Sequence, residues 1–307
     1  MTPSATAAPA VRAAFTQLID YAGLFPPAAL DMTAAIAEYG NARRGPFAWM
    51  LGRFIVPASR IPELLDAPAD GYPVEVSVIV DAGSDPRTWL SRLQASLTEI
   101  ARVRSSQARL RIEALEAALP PLATQRETYD AAIGQFAAAR LQAGLETLPA
   151  FVELPRDARW GEELSAAMFA LSRHHLGAKL RCGGVTQQAF PSTQEVASFV
   201  IAAVGEHRVP MKATAGLHHP LRRRDEELGF TMHGFLNLLA AAAFARAGAD
   251  AADVQRVVES EVAEELAPGS SGLSVEDLQA TRRQGFISYG SCSFSEPTED
   301  LQAIGIL

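Results

Sequence analysis

Residues 177–184, GAKLRCGG, and 209–217, VPMKATAGL, are short β-type runs, and they carry Lys179 and Lys212. Of the 27 basic residues these two alone are lysine; all the others are arginine. An Ala- and Arg-rich coding bias explains the scarcity, since solvated surface positions accept either cation. A site that needs a primary amine does not, because guanidinium cannot deprotonate at neutral pH or form a Schiff base. The alternative is that both lysines are chance survivors with buried stems.

Working outward, six more β-type runs come into view: YAGLFPP (21–27), MLGRFIVPA (50–58), VEVSVIVDAG (74–83), LRIEALEAAL (110–119), PAFVELPRD (149–157) and FISYGSCSF (286–294). Amphipathic stretches separate them, at 31–41, 59–65, 86–103, 125–142, 161–175 and 193–206. Their apolar residues recur every three or four positions, and Ser, Thr or Asp often stand at the start as caps. Strands alternating with helices imply parallel pairing, because parallel strands need long crossovers. Eight such runs predict an α/β chain forming one (β/α)8 TIM barrel over residues 1–307. An open doubly wound sheet is second choice, because no GxGxxG follows a first strand. Between the seventh and eighth runs, 218–285 is an inserted helical segment, with patterns at 230–247, 250–266 and 274–283, expected over or beside the barrel mouth.

The length of 307 residues suits such a barrel, typically about 250 residues, with an insertion. A formal charge of −8 argues against a broad nucleic-acid surface. The apolar stretch at 235–245 is too short to span a bilayer and is broken by Asn237, so no membrane partner is expected. The start, MTPSATAAPAVRAAFTQL, lacks the features of a secretion signal and reads as a frayed tail on a cytoplasmic protein. Two cysteines, Cys182 and Cys292, are too few for a disulfide framework or a cysteine-built zinc site, and read as small buried fillers. No cofactor and no metal-ligand set is assigned. An assembly of identical copies is compatible with the sequence.

In a (β/α)8 barrel the side chains at the strand C-termini converge on one mouth. Lys179 and Lys212 would then project from neighbouring strands about 4.8 Å apart. A second ammonium lowers a lysine's pKa by like-charge repulsion, which is a recipe for Schiff-base chemistry. Asp20, Glu113, Glu116 and Glu153 are candidate proton carriers. Period two separates Glu113 from Glu116, so the two are not expected to point inward together. Arg181 shares a face with Lys179. It and Arg53 are candidate clamps for a carboxylate or phosphate. Of His218 and His219 one is expected in the mouth, to polarise a carbonyl, shuttle a proton or bind a metal; a solvated loop is the plain alternative. His233 and Asn237 share a helix face, as a lid or as a packing hydrogen bond. In YGSCS, Gly290 would let backbone amides approach an oxyanion, with Ser291 and Ser293 as added donors; a capped strand end is the plain alternative.

These runs together resemble the deoxyribose-phosphate aldolases, a family of class I (Schiff-base) aldolases. LIDYAGLFPPAALDMTAAI (18–36) is similar to the family's opening, RFIVPASRIPEL (53–64) to its second strand and following helix. AKLRCGG and VPMKATAGL stand where the family carries its two lysines, and YGSCS resembles its phosphate-holding Gly-Thr-Ser-Ser. The resemblance implies Lys179 as the imine-forming nucleophile, Lys212 as its pKa-lowering partner, Asp20 as a proton-network carboxylate and Glu113 near the family's fourth-strand Asp. The chain departs from the family at Tyr21-Ala22, at Leu180–Gly183 and at Leu217–His219, so the expected substrate is a small anionic carbonyl compound rather than deoxyribose phosphate itself. Two other readings stay open. One is a non-covalent barrel enzyme (isomerase, decarboxylase or metal-assisted lyase) using Lys179, Arg181, Lys212 and His218. The other is a non-catalytic small-molecule binder.

Overall fold

A computed structural model describes residues 8–68, 73–106, 108–122, 128–157, 159–184, 186–226 and 229–307. Residues 1–7 of the expected tail and 125–127 of the fourth helical stretch lie outside these. Eight parallel strands close into a barrel: β1 (Ile19–Tyr21), β2 (Leu51–Pro57), β3 (Val74–Ile79), β4 (Leu110–Ala118), β5 (Ala150–Glu153), β6 (Gly177–Arg181), β7 (Met211–Thr214) and β10 (Phe286–Ser291). Ring closure is made by β1, which pairs with β2 on one side and β10 on the other. The (β/α)8 expectation is therefore met. Its first strand is displaced, however. The strand is Ile19–Tyr21, and the apolar Phe25-Pro26-Pro27 run is a loop at the mouth.

Outside the strands lie α1 (Pro9–Phe15), α2 (Met32–Arg44), α3 (Ile61–Asp66), α4 (Pro86–Ser106), α5 (Tyr129–Gln142), α6 (Trp160–Arg173) and α7 (Thr193–Val200), the last continuing as a wider helical turn over Ile201–Glu206. Their register follows from capping and periodicity. Asp31 caps α2 by accepting from Ala34, and Ser192 with Glu195 forms a reciprocal capping box on α7. In α4, Trp89, Leu93, Leu97, Ile100 and Val103 recur at helical spacing and are buried as one stripe. The Trp89 indole donates to the Ala118 carbonyl at 2.9 Å, fixing α4 to the end of β4.

The segment between β7 and the last barrel strand holds a hairpin, β8 (Arg223–Arg224) with β9 (Thr231–Met232), and then α8 (Phe235–Arg246), α9 (Ala251–Glu259), α10 (Ala263–Leu266) and α11 (Val275–Gln284). Helix α8 is apolar on all sides because it is buried on all sides. Phe235 stacks on Tyr289 of β10 with ring centroids 4.8 Å apart. This part of the segment is thus the barrel's own crossover helix. Helix α11 packs on α1 and feeds the start of β10, away from the mouth. From this segment His218 and Met232 reach the mouth. No helix among the described residues is long and apolar enough to cross a membrane. Helix α12 (Ser295–Ala303) follows β10.

Candidate functional site

Lys179 and Lys212 are partners in the β6–β7 register, so their side chains enter the barrel at one height. Between the two amines lies Glu116. Its Oε1 is 2.5 Å from the Lys212 Nζ and its Oε2 is 2.8 Å from the Lys179 Nζ. Lys212 also donates to Asp20 Oδ2 at 2.7 Å, and Lys179 lies 3.2 Å from Glu153. Two hydroxyls complete the set: Ser288 donates to Asp20 and Ser77 to Glu116, each at 2.7 Å. The two amines are bridged by one carboxylate.

Asp20 is positioned by β2. The Arg53 backbone N–H donates to its Oδ1 at 2.7 Å, and any Cβ on Gly52 would collide with the Asp20 carboxylate. A side chain at 52 would therefore push Asp20 off Lys212. Asp20, Glu116 and Lys212 are almost fully buried, while Lys179 retains 8% exposure. Equal numbers of carboxylates and ammoniums make that burial tolerable, because a buried charge needs a partner and further hydrogen bonds.

Burial works against the charge on Lys179, but the Glu116 and Glu153 carboxylates more than offset it and hold the ammonium above the ordinary lysine range. Burial likewise opposes the Glu116 charge, and the two ammoniums outweigh it and hold the carboxyl well below the usual carboxylate range. This corrects the expectation that Lys212 lowers the Lys179 pKa. Glu116 stands between the two ammoniums, and its carboxylate with that of Glu153 sets the balance at Lys179.

Glu113 needs a second correction. Strand β4 carries an irregularity opposite Val76–Ser77, whose register partners are Ile112 and Ala114. The extra residue breaks strict alternation. Glu113 meets the Arg53 Nε at 3.3 Å, and this contact between β4 and β2 passes across the barrel interior, because β3 separates those strands. Glu116 enters the interior higher up. Both carboxylates therefore point inward, and it is Glu116 that reaches the lysines. Arg53 is the third residue of β2, below the lysine layer, and lies 3.9 Å from Asp20. It does not line the mouth, contrary to its expected role at a strand end.

Above the amines opens a cavity of about 450 Å³. Its floor includes Lys179 and Glu116, and its rim Arg181, Thr214, His218, Gly290 and Cys292. Phe25, Ile55, Ile79 and Leu217 make apolar walls. Gly290 has a steric reason: a Cβ there would lie 3.0 Å from Ile55 Cδ1 and 3.4 Å from Thr214 Oγ1. Arg181 is 55% exposed and 3.9 Å from Glu153, which leaves its guanidinium able to turn to a ligand. His218 Nδ1 is 3.4 Å from Glu296 and 3.8 Å from the Cys292 Sγ; contacts to Cys292 and Glu296 push its pKa up to about 9, so it is charged at neutral pH.

Ser291 and Ser293 fall outside the cavity lining. Ser291 is buried, and its Oγ accepts from the Ser293 N–H at 3.4 Å; the Ser293 Oγ accepts from the Glu296 N–H at 3.2 Å, at the start of α12. Their hydroxyls serve the strand end, which is the plainer of the two expected roles. His219 pairs with Asp300 at 2.5 Å. His233 bonds the Pro191 carbonyl, and Asn237 accepts from the Arg222 N–H and donates to Val257 and Ser260 carbonyls, so this pair is a packing device. No three His, Cys, Asp or Glu side chains among the described residues converge on a metal-holding arrangement.

Reasoning from sequence misses Ser77, Ser288 and Thr214, and favours Glu113 over Glu116 among its candidate proton carriers. Ser77 and Ser288 left a usable signal, each a small polar residue between apolar neighbours in its strand. No protein-family model matches the chain, and a search of curated proteins returns no match.

Proposed function

We propose that this chain is a class I aldolase-type lyase in which Lys179 forms an imine with a small anionic carbonyl compound. One observation carries the reading: Lys179 is the amine that belongs to the buried carboxylate–amine network and also opens on the mouth cavity. Lys212, at 1% exposure, does not line that cavity.

The steps follow from that geometry. The Lys179 ammonium passes a proton to Glu116 or Glu153, each within 3.2 Å, and the neutral amine adds to the substrate carbonyl carbon. The protonated carboxyl returns its proton to the carbinolamine hydroxyl, which leaves as water and gives the iminium. The iminium accepts the electron pair of the adjacent Cα–Cβ bond when a carboxylate removes the β-hydroxyl proton, so an aldehyde departs and an enamine remains. Reprotonation at Cα and hydrolysis return the amine and a second carbonyl product. Asp20, Lys212 and Glu116 form the chain along which protons are redistributed. Arg181 and His218 at the rim supply positive charge for the substrate's phosphate or carboxylate.

A second reading has its own support. The raised Lys179 pKa suits a permanent ammonium that polarises a carbonyl or stabilises an enolate without a covalent bond. Sodium borohydride separates the two. Incubation with small phosphorylated and carboxylated aldehydes and ketones, followed by reduction, inactivates an imine-forming enzyme only when the right carbonyl compound is present. Turnover that survives reduction supports the non-covalent reading.

A further inference from the structure

On the opposite, N-terminal face of the barrel, α1 and α11 flank a groove of about 620 Å³ lined by Arg12, Arg53, Arg282 and Arg283. Gln17 and Gln279 are among its neutral polar groups, and no carboxylate among the described residues lines it. Four guanidiniums converging on one groove stand out in a chain of net charge −8. Glu113 and Asp20 engage Arg53 from the barrel interior. Arg12 lies over the Trp49 ring at 4.2 Å, a contact that orients the cation and leaves its charge uncompensated.

Arg282 is a half-buried member. Its Nη atoms donate to the Phe286, Ile287 and Thr16 carbonyls, which are dipoles and carry no net charge, and its Nε is buried without a hydrogen-bond partner. Burial pushes its guanidinium down to about 10, Asp20 opposing and Arg53 adding to the effect, so it is still a cation at neutral pH. The C-terminal dipole of α11 favours basic residues in its last turn and accounts for Arg282 and Arg283 being there. Arg12 stands likewise in the last turn of α1, and Arg53 arrives on the same groove from β2.

We propose that this groove binds a small multiply charged anion of the di- or polyphosphate class, with Arg12 and Arg283 as its outer clamp. Guanidinium forks match phosphate oxygens two at a time, and a diphosphate has enough charge to engage several of them. Through Arg53, 3.9 Å from the carboxylate that holds Lys212, occupancy of the groove is linked to the amine network.

The test is a calorimetric titration of the full chain with inorganic pyrophosphate at low ionic strength. The wild type should show saturable binding that weakens with added salt. Arg12 and Arg283 are exposed, so the double variant Arg12→Ala/Arg283→Ala keeps the fold, and its affinity should fall at least tenfold. Arg181→Ala, which alters only the mouth, should bind as the wild type does. Absence of saturable binding, equal affinity in the double variant, or loss in Arg181→Ala alone would each overturn the proposal. The readout requires no turnover, so it is independent of the imine reading.

Discussion

Replacing Lys212 by methionine shortens the side chain by one atom, keeps most of its volume and removes its charge. The structure says what remains: Asp20 and Glu116, both almost fully buried, lose the ammonium that sits 2.7 and 2.5 Å from them. Asp20 keeps the Arg53 N–H and the Ser288 hydroxyl, and Glu116 keeps Lys179 and the Ser77 hydroxyl. Breaking a buried pair by removing one partner costs about 3–5 kcal/mol, because an uncompensated charge stays behind. At roughly 2 °C per kcal/mol for a chain of this size, Tm should fall by about 6–10 °C. The loss should depend on pH with a defined sign. In the wild type Glu116 is held below its ordinary range, so its contribution is present above the unfolded value and fades as pH falls through the folded one. In the variant, Glu116 loses one of the two ammoniums that outweigh its burial, so its folded-state value rises above the unfolded one and it recovers stability by gaining a proton as pH falls. Thermal melts at pH 8 and pH 5 should therefore show a large deficit at pH 8 and a smaller one at pH 5. A variant as stable as the wild type at pH 8 would refute the ion network as the source of the site's order.

Glu116→Gln should lower kcat by about a hundredfold or more, the range for loss of a positioned proton carrier, whereas Glu113→Gln should leave steady-state turnover close to wild type. Because carboxylates hold Lys179 above the ordinary lysine range, the free amine becomes more abundant with alkalinity, so kcat/KM should climb from pH 6 towards pH 8. Above the His218 value of about 9 the rim loses a charge, and KM for an anionic substrate should rise; a flat profile would contradict both assignments. Arg181→Ala should raise KM about tenfold or more with little change in kcat, and Arg181→Lys should recover little. Ser291→Ala should leave KM unaltered, since that hydroxyl is turned to the Ser293 backbone.

Much of this architecture is legible from residue pattern alone. Seven of the eight strand runs contain the observed strands, and Lys179 and Lys212 meet at one register height as their positions in short neighbouring runs imply. The first strand was misplaced because Phe25-Pro26-Pro27 is apolar without being a strand; it walls the mouth. The fourth-strand carboxylate could not be assigned by alternation, because the irregularity at Ile112–Ala114 adds a residue that only the pairing with β3 exposes. Arg53 was placed at a strand end, yet it is the third residue of a seven-residue strand and belongs to the lower half of the barrel. The expected effect of Lys212 on Lys179 considered two amines alone. Glu116 standing between them reverses the balance, and no one-dimensional spacing reveals such a bridge.

The central claim is that Lys179, and not Lys212, forms a covalent imine, and peptide mapping after borohydride reduction in the presence of a substrate carbonyl tests it most directly. The account predicts one adduct per chain, equal in mass to the carbonyl compound less one oxygen atom, on the peptide containing Lys179, and none in Lys179→Met. An adduct on Lys212, or continued turnover by Lys179→Met, would contradict it.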